Sequence, residues 1–97
     1  MSKRLRLLSV ARTDIANAFA YYESESRGLG VVFLQILEGL LDHVVEYPEF
    51  YPQRIGQTRR ALVPRFPYAV FYIVDAEEIT ILGVRHTKQD PGSMPTA

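Results

Sequence analysis

Arg59-Arg60-Ala61-Leu62-Val63-Pro64-Arg65-Phe66-Pro67-Tyr68-Ala69-Val70-Phe71-Tyr72-Ile73-Val74 decides the fold. Its two runs of β-branched and aromatic residues read as strands over 59–63 and 68–74, and Pro64 to Pro67 reads as the turn between them. In the second run both alternating faces are apolar or aromatic, the pattern of a central strand covered on one side and partly on the other. Ile79 to Arg85 supplies a third strand after a turn at Asp75 to Glu78, so this half of the chain is a three-stranded antiparallel meander.

Upstream the period changes. Leu29, Phe33, Ile36, Leu37, Leu40, Leu41, Val44 and Tyr47 fall on one broad helical face, and Gln35, Glu38, Asp42 and Glu46 form a polar stripe at the same period. Pro48 and Pro52 stop this helix, and the chain from there to Thr58 reads as a loop. A first helix from Val10 to Glu25 carries Ala11, Ile15, Ala18, Phe19 and Tyr22 at helical spacings, with Ser9 as its expected N-cap. Residues 4–8 read as a short opening strand. The link Ser26-Arg27-Gly28 is so short that the helices form an antiparallel hairpin. The expectation is an α+β fold, β-α-α-β-β-β, an antiparallel sheet with a helical hairpin packed on one face. The other face, with its Tyr and Arg residues, is then open to a ligand or partner.

At 97 residues the chain is one domain, placed at 1–91, followed by a loose tail at 92–97 rich in Pro, Gly and Ser. No run of about 18 apolar residues offers a membrane span, and the N-terminus lacks the apolar core and cleavage site of a secretory signal. Absence of Cys removes disulfides and thiolate ligands and fits the cytoplasm. With His43 and His86 as the only histidines, neither a metal nor another cofactor is expected. The zero net charge hides a segregation: residues 1–12 carry +4 and residues 51–72 carry +4, while residues 13–50 carry −6. Two basic segments around an acidic middle point to one positive face, or to solvated arginines on strand edges.

The string from Arg59 to Tyr72, followed by Gly83-Val84-Arg85-His86-Thr87-Lys88-Gln89-Asp90-Pro91, resembles the C-terminal half of RelE/ParE-family toxins. That half has an Arg-bearing strand, a Phe-Pro-Tyr turn into an aromatic strand, and a last strand ending in His near a basic residue and Asp-Pro. The front half is similar too, with Tyr21-Tyr22 closing the first helix, Gly28-Leu29-Gly30 opening the second and Phe33-Leu34 within it. The family's β-α-α-β-β-β order is the one periodicity gives independently. The resemblance, closer to ParE-like members, implies the toxin of a type II toxin–antitoxin system, which inhibits growth and forms a hetero-oligomer with its cognate antitoxin. ParE-like members inhibit DNA gyrase; RelE-like members cut messenger RNA on the ribosome. A member that has lost its toxicity is a third reading.

Cutting RNA requires an activated 2′-hydroxyl, a proton donor for the leaving oxygen and cations over the phosphate. As an endoribonuclease the chain would rely on His86, Arg85 and Arg65. The lysine-rich set of RelE-like ribonucleases is absent, since Lys3 and Lys88 are the only lysines, and no surplus charge attracts ribosomal RNA. The expectation leans to a gyrase-directed binder that is not an enzyme, with Arg59, Arg60, Arg65, Tyr68, Arg85, His86 and Lys88 as target-binding residues. Arg59 and Arg60 point to opposite strand faces, so at most one serves a given site. Tyr68 and Tyr72 share a face, open to base stacking or to cross-strand packing. His86 is either a catalytic base or a turn-bonding histidine, and His43 is expected to pack at the core edge. Asp14, Glu23 and Glu25 read as solvated.

Overall fold

The computed structural model describes residues 3–88, so Asp90-Pro91 and the tail at 92–97 lie outside the described residues. The elements are β1 (Arg4–Leu7), α1 (Ser9–Glu25), α2 (Leu29–Glu46), β2 (Gln53–Ile55), β3 (Thr58–Leu62), β4 (Tyr68–Val74) and β5 (Glu78–His86). They build one sheet in the order β1-β5-β4-β3-β2, with the expected antiparallel meander β3-β4-β5 at its centre. Two pairings extend it to a five-stranded mixed sheet. β1 lies parallel to β5, a pairing that requires a long connection; here the two helices carry the chain across to β2, and the strands lead back to β5. β2 forms a hairpin with β3 inside what the sequence presents as a loop. Its three residues include one apolar side chain, too few to show a period.

Leu8, not Ser9, occupies the N-cap of α1, and no side chain caps it. The Leu8 N–H still donates to the Ile81 carbonyl at 3.1 Å, so the chain enters the helix directly from the sheet. Between the helices Gly28 adopts φ 89°, which an L side chain rarely tolerates. At Gly30 a Cβ would stand 2.8 Å from the Phe19 side chain, so a glycine here lets the helices close on each other. Among the described residues no helix is long and apolar enough to cross a membrane.

The main core lies between the hairpin and one sheet face. Ala11, Ala18, Phe33, Leu37 and Val44 from the helices meet Ala61, Val70, Tyr72, Ile79, Ile81 and Val84 from the strands. Tyr68 and Tyr72 belong to this covered face, not to the open one the sequence reading assigned them. Tyr47, expected on the buried stripe of α2, is instead 52% exposed because the helix ends at Glu46 and the chain turns away. The open face holds a smaller cluster of Ala69, Phe71 and Leu82, against which Leu8 and Ile73 pack. Alternation puts Arg4, Arg6 and Arg60 on this face too, since they pair across with Glu78, Thr80 and Phe71. The two basic segments therefore do not pair, being separated by β5 and β4, but reach the same face from its two sides.

Candidate functional site

A bulge in β5 shapes the site. Tyr72 pairs with Ile81 and Phe71 with Gly83, which leaves Leu82 without a partner on β4. The extra residue switches the alternation, so that Val84 and His86 share the helix-covered face with Ile79 and Ile81. Among the described residues no strand continues along the outer edge of β5 beyond Leu7, and α1 lies there instead. The small buried residues Ala11 and Ala18 let the helix come close.

Asp14 of α1 closes that edge. The Val84 N–H donates to its Oδ2 at 2.9 Å, and Arg85 Nε lies 3.2 Å from the same oxygen. The guanidinium contact is too oblique for a hydrogen bond, so it is Coulombic, and Arg85 Nε is itself buried. Asp14 is thus not a solvated acid, because it satisfies an edge N–H that the sheet cannot. Glu23 is not one either: its carboxylate accepts from the Gly30 N–H at 2.9 Å across the hairpin.

Around Asp14 opens a cleft of 290 Å³, lined from α1 by Asn17, Ala18 and Tyr21 and from the sheet by Tyr68, Val84, Arg85 and His86. Tyr68 and His86 are register partners with ring centroids 5.3 Å apart, meeting edge to face. His86 Nδ1 accepts from the Lys88 N–H at 3.1 Å, which places the ring proton on Nε2 in this arrangement. Burial, and then the charge of Asp14, push the Tyr68 phenol above its ordinary pKa. Tyr21 is pushed the same way by its hydrogen bond to Glu25. Both phenols therefore stay protonated and serve as hydrogen-bond donors rather than bases near neutrality.

The expected site residues divide. Tyr68, Arg85 and His86 converge in the cleft, and Lys88 follows just past it. Arg59 is turned toward the β2 side, where it donates to the carbonyls of Glu49 at 3.2 Å and Tyr51 at 2.6 Å. Arg60 sits half-buried on the open sheet face. Arg65 occupies the β3–β4 turn with φ 69° and borders a different hollow, beside His43 and Tyr51. His43 packs at the core edge, its Nδ1 2.7 Å from the Tyr51 hydroxyl. Asp14, Asn17 and Tyr21 were not singled out for this cleft, and only the i, i+3, i+4, i+7 spacing of Asp14, Asn17, Ala18 and Tyr21 signals their shared face. No group of three or more His, Cys, Asp or Glu among the described residues is arranged to hold a metal.

A second hollow, of 430 Å³, lies between the two helices beside the free edge of β1 and is lined by Leu7, Arg12, Ile15, Ala16, Phe19 and Leu34. It is mostly apolar, with Arg12 as its one charged lining residue.

Three comparisons with known proteins bear on this geometry. Residues 5–91 match the family described as the ParE toxin of type II toxin–antitoxin system, parDE. The chain is 24% identical over 95 residues to Toxin ParE2 of Mycobacterium tuberculosis, which spans 97% of this chain and 90% of that one. Among solved structures, a chain from a chromosomal ParDE toxin–antitoxin system of Pseudomonas aeruginosa superposes with TM-score 0.78 at 16% identity, covering 87% of this chain and 95% of that one. A chain of the toxin–antitoxin complex RelBE2 from M. tuberculosis follows with TM-score 0.61 at 20% identity, covering 89% and 99%. At such identities the structural matches speak for the fold alone.

Proposed function

The chain belongs to the ParE toxin family of type II toxin–antitoxin systems, and from that premise we propose that it arrests bacterial growth by binding DNA gyrase in the cytoplasm and is held inactive in a hetero-oligomer with a cognate antitoxin. The observation that carries the choice of target is the dispersal of the cations. A ribonuclease needs proton-transfer groups and several cations converging on one phosphate. Here Arg85 shares the cleft with Asp14, whose carboxylate repels phosphate, while Arg59, Arg60 and Arg65 lie elsewhere. A zero net charge also gives little long-range attraction for ribosomal RNA. A protein target asks for none of this convergence.

The second reading, a ribosome-dependent messenger-RNA endoribonuclease of the RelE type, draws on the Tyr68–His86 pair, a phenol and an imidazole in contact at the mouth of the cleft. For the antitoxin, the hollow beside β1 is the surface the geometry favours. It joins apolar side chains and Arg12 to a free strand edge flanked by Arg4 and Arg6, which suits an acidic segment that orders on binding.

The test is direct. Purified protein is added to a gyrase supercoiling reaction and to programmed ribosomes, as wild type and as Arg85→Ala and His86→Ala. Inhibition of supercoiling is expected, with His86→Ala losing only what one contact contributes, about 1–2 kcal/mol. Messenger-RNA cleavage that His86→Ala reduces by roughly a hundredfold would promote the second reading. A short reading frame beside the gene is expected to encode the antitoxin, and its co-expression should relieve growth arrest; a neighbour that neither binds nor relieves sinks the antitoxin assignment.

A further inference from the structure

The outer side of α2 and the two loops beside it carry three features that the packing of this chain does not explain. Gly39 stands in the middle of the helix, where glycine weakens helical structure, yet apart from the helix's own backbone and its chain neighbours no described atom lies within 4 Å of where its Cβ would be. Unlike Gly30, it is not required by any neighbour in the fold. Arg65, across from it in the β3–β4 turn, holds a left-handed φ of 69° that L residues avoid. Phe50 is 71% exposed, although the loop bearing it is braced from within: the buried Tyr72 hydroxyl donates to the Pro48 carbonyl at 2.7 Å, and Arg59 donates to the carbonyls of Glu49 and Tyr51. A rigidly held, exposed aromatic ring is the form of a binding anchor, because its ordering cost is already met in the free protein.

Gly39 and Arg65 line one groove of 570 Å³, and Phe50 stands just outside it. Ile36, Gly39 and Leu40 form its floor, Pro64 and Arg65 one wall, and His43 and Tyr51 its end. The Phe50 ring leans on that end, with centroids 5.4 Å from His43 and 5.0 Å from Tyr51. At 100° per residue the exposed Asp42 and Glu46 fall within about 60° of Gly39 on α2, on the side away from Leu40, and Glu38 stands one turn before Asp42. These acids flank the groove on its α2 side without lining it, and Arg65 on the far wall is the one Lys or Arg among the lining residues.

We propose that this groove docks an amphipathic helix of a partner protein, apolar on the side that meets Gly39 and rich in Lys and Arg on the side that meets Glu38, Asp42 and Glu46. A bare glycine lets a second backbone approach closely, the apolar floor takes the helix's aliphatic stripe, Phe50 closes its end, and the flanking acids select for cations. The occupant differs from the antitoxin, whose proposed groove lies across α2 at Leu34, and the surface stands whether or not gyrase is the target.

The experiment titrates the whole protein with two labelled helical peptides of identical leucine spacing, one flanked by Lys and Arg and the other by Glu. The cationic peptide should bind at least about tenfold tighter than the acidic one and weaken as salt is raised. Gly39→Leu should weaken it about tenfold or more while raising the melting temperature, since the helix loses its glycine; a fold defect would move both downward. Phe50→Ala should weaken it as well. Absence of binding, equal binding of the two peptides, or a Gly39→Leu variant that binds like wild type overturns the proposal. A preference for the Glu-flanked peptide, assigning the groove to an acidic segment, or a self-dimer broken by Gly39→Leu, assigning it to a second copy, overturns it equally. Growth arrest and antitoxin binding are scored separately, so failure of the groove is distinguishable from failure of the toxin reading.

Discussion

Asp14→Ala tests the junction on which the cleft is built. The substitution removes one carboxylate oxygen that accepts the Val84 N–H at 2.9 Å and faces Arg85 Nε at 3.2 Å, with side chains only 16% and 24% exposed. A hydrogen bond to a charged group contributes about 1.5–3 kcal/mol. The partly exposed ion pair adds up to about 1 kcal/mol, and alanine's better helix propensity returns about 0.7 kcal/mol. The net cost is about 2 kcal/mol, which in a domain of this size lowers the melting temperature by roughly 8–16 °C. Asp14→Asn keeps an acceptor for Val84 and loses only the charge, so it should fall between alanine and wild type. Arg85→Ala should cost less than Asp14→Ala, because the Val84 N–H retains its partner. Thermal unfolding followed by circular dichroism gives the order, and amide exchange at Val84 reports the bond itself. An Asp14→Ala protein that melts within about 2 °C of wild type, with Val84 still protected, would refute the reasoning.

Three further outcomes follow from the packing and the titrations. Leu40→Ala, in a side chain only 7% exposed, should cost about 2–4 kcal/mol through the cavity it leaves, seen as a lower urea midpoint at unchanged slope. Burial pushes the Tyr72 phenol from 10.0 up to about 12. The fold therefore favours its neutral form, and that contribution is complete below pH 10 and lost as pH rises through 12. Unfolding midpoints at pH 9 and pH 12 should show a loss of about 2–3 kcal/mol, smaller in Tyr72→Phe. Arg65→Gly should raise stability by about 1 kcal/mol by relieving the left-handed backbone, so a lower melting temperature would show that the arginine side chain holds the turn.

The meander was legible because β4 buries side chains on both faces, which forces a continuous apolar and aromatic run that no helix period imitates. The helices were legible for the opposite reason: their buried residues recur every three or four positions, and Pro48 marks the end of the second. The parallel pairing of β1 with β5 was not. Four residues alternating Arg and Leu fit either edge of a sheet, and only the long connection between β1 and β5 selects the partner. β2 was hidden by its length and by Arg54, since an edge strand that carries charge looks like a loop in composition.

The site was less legible than the fold, and the bulge explains why. A strict alternation through β5 would put Ile79, Ile81, Gly83 and Arg85 on the helix face, and His86 on the other. The structure puts His86 with Tyr68 under α1, because Leu82 adds one residue to the count. Glycine inside a strand is a known mark of such irregularity, so Gly83 carried a signal that hydrophobic pattern alone does not weigh. Asp14 was misread for a related reason. On α1 it looks like one more solvated acid, and its burial depends on an edge N–H of Val84 that is 70 residues away in sequence. The charge ledger along the chain counted Asp14 in the acidic stretch 13–50, where Arg27 is the one cation. In the fold its partner is Arg85, so the carboxylate that seemed to belong to the acidic middle neutralises a cation of the candidate cleft. A cleft so neutralised offers hydrogen bonds and aromatic edges rather than a cationic cradle.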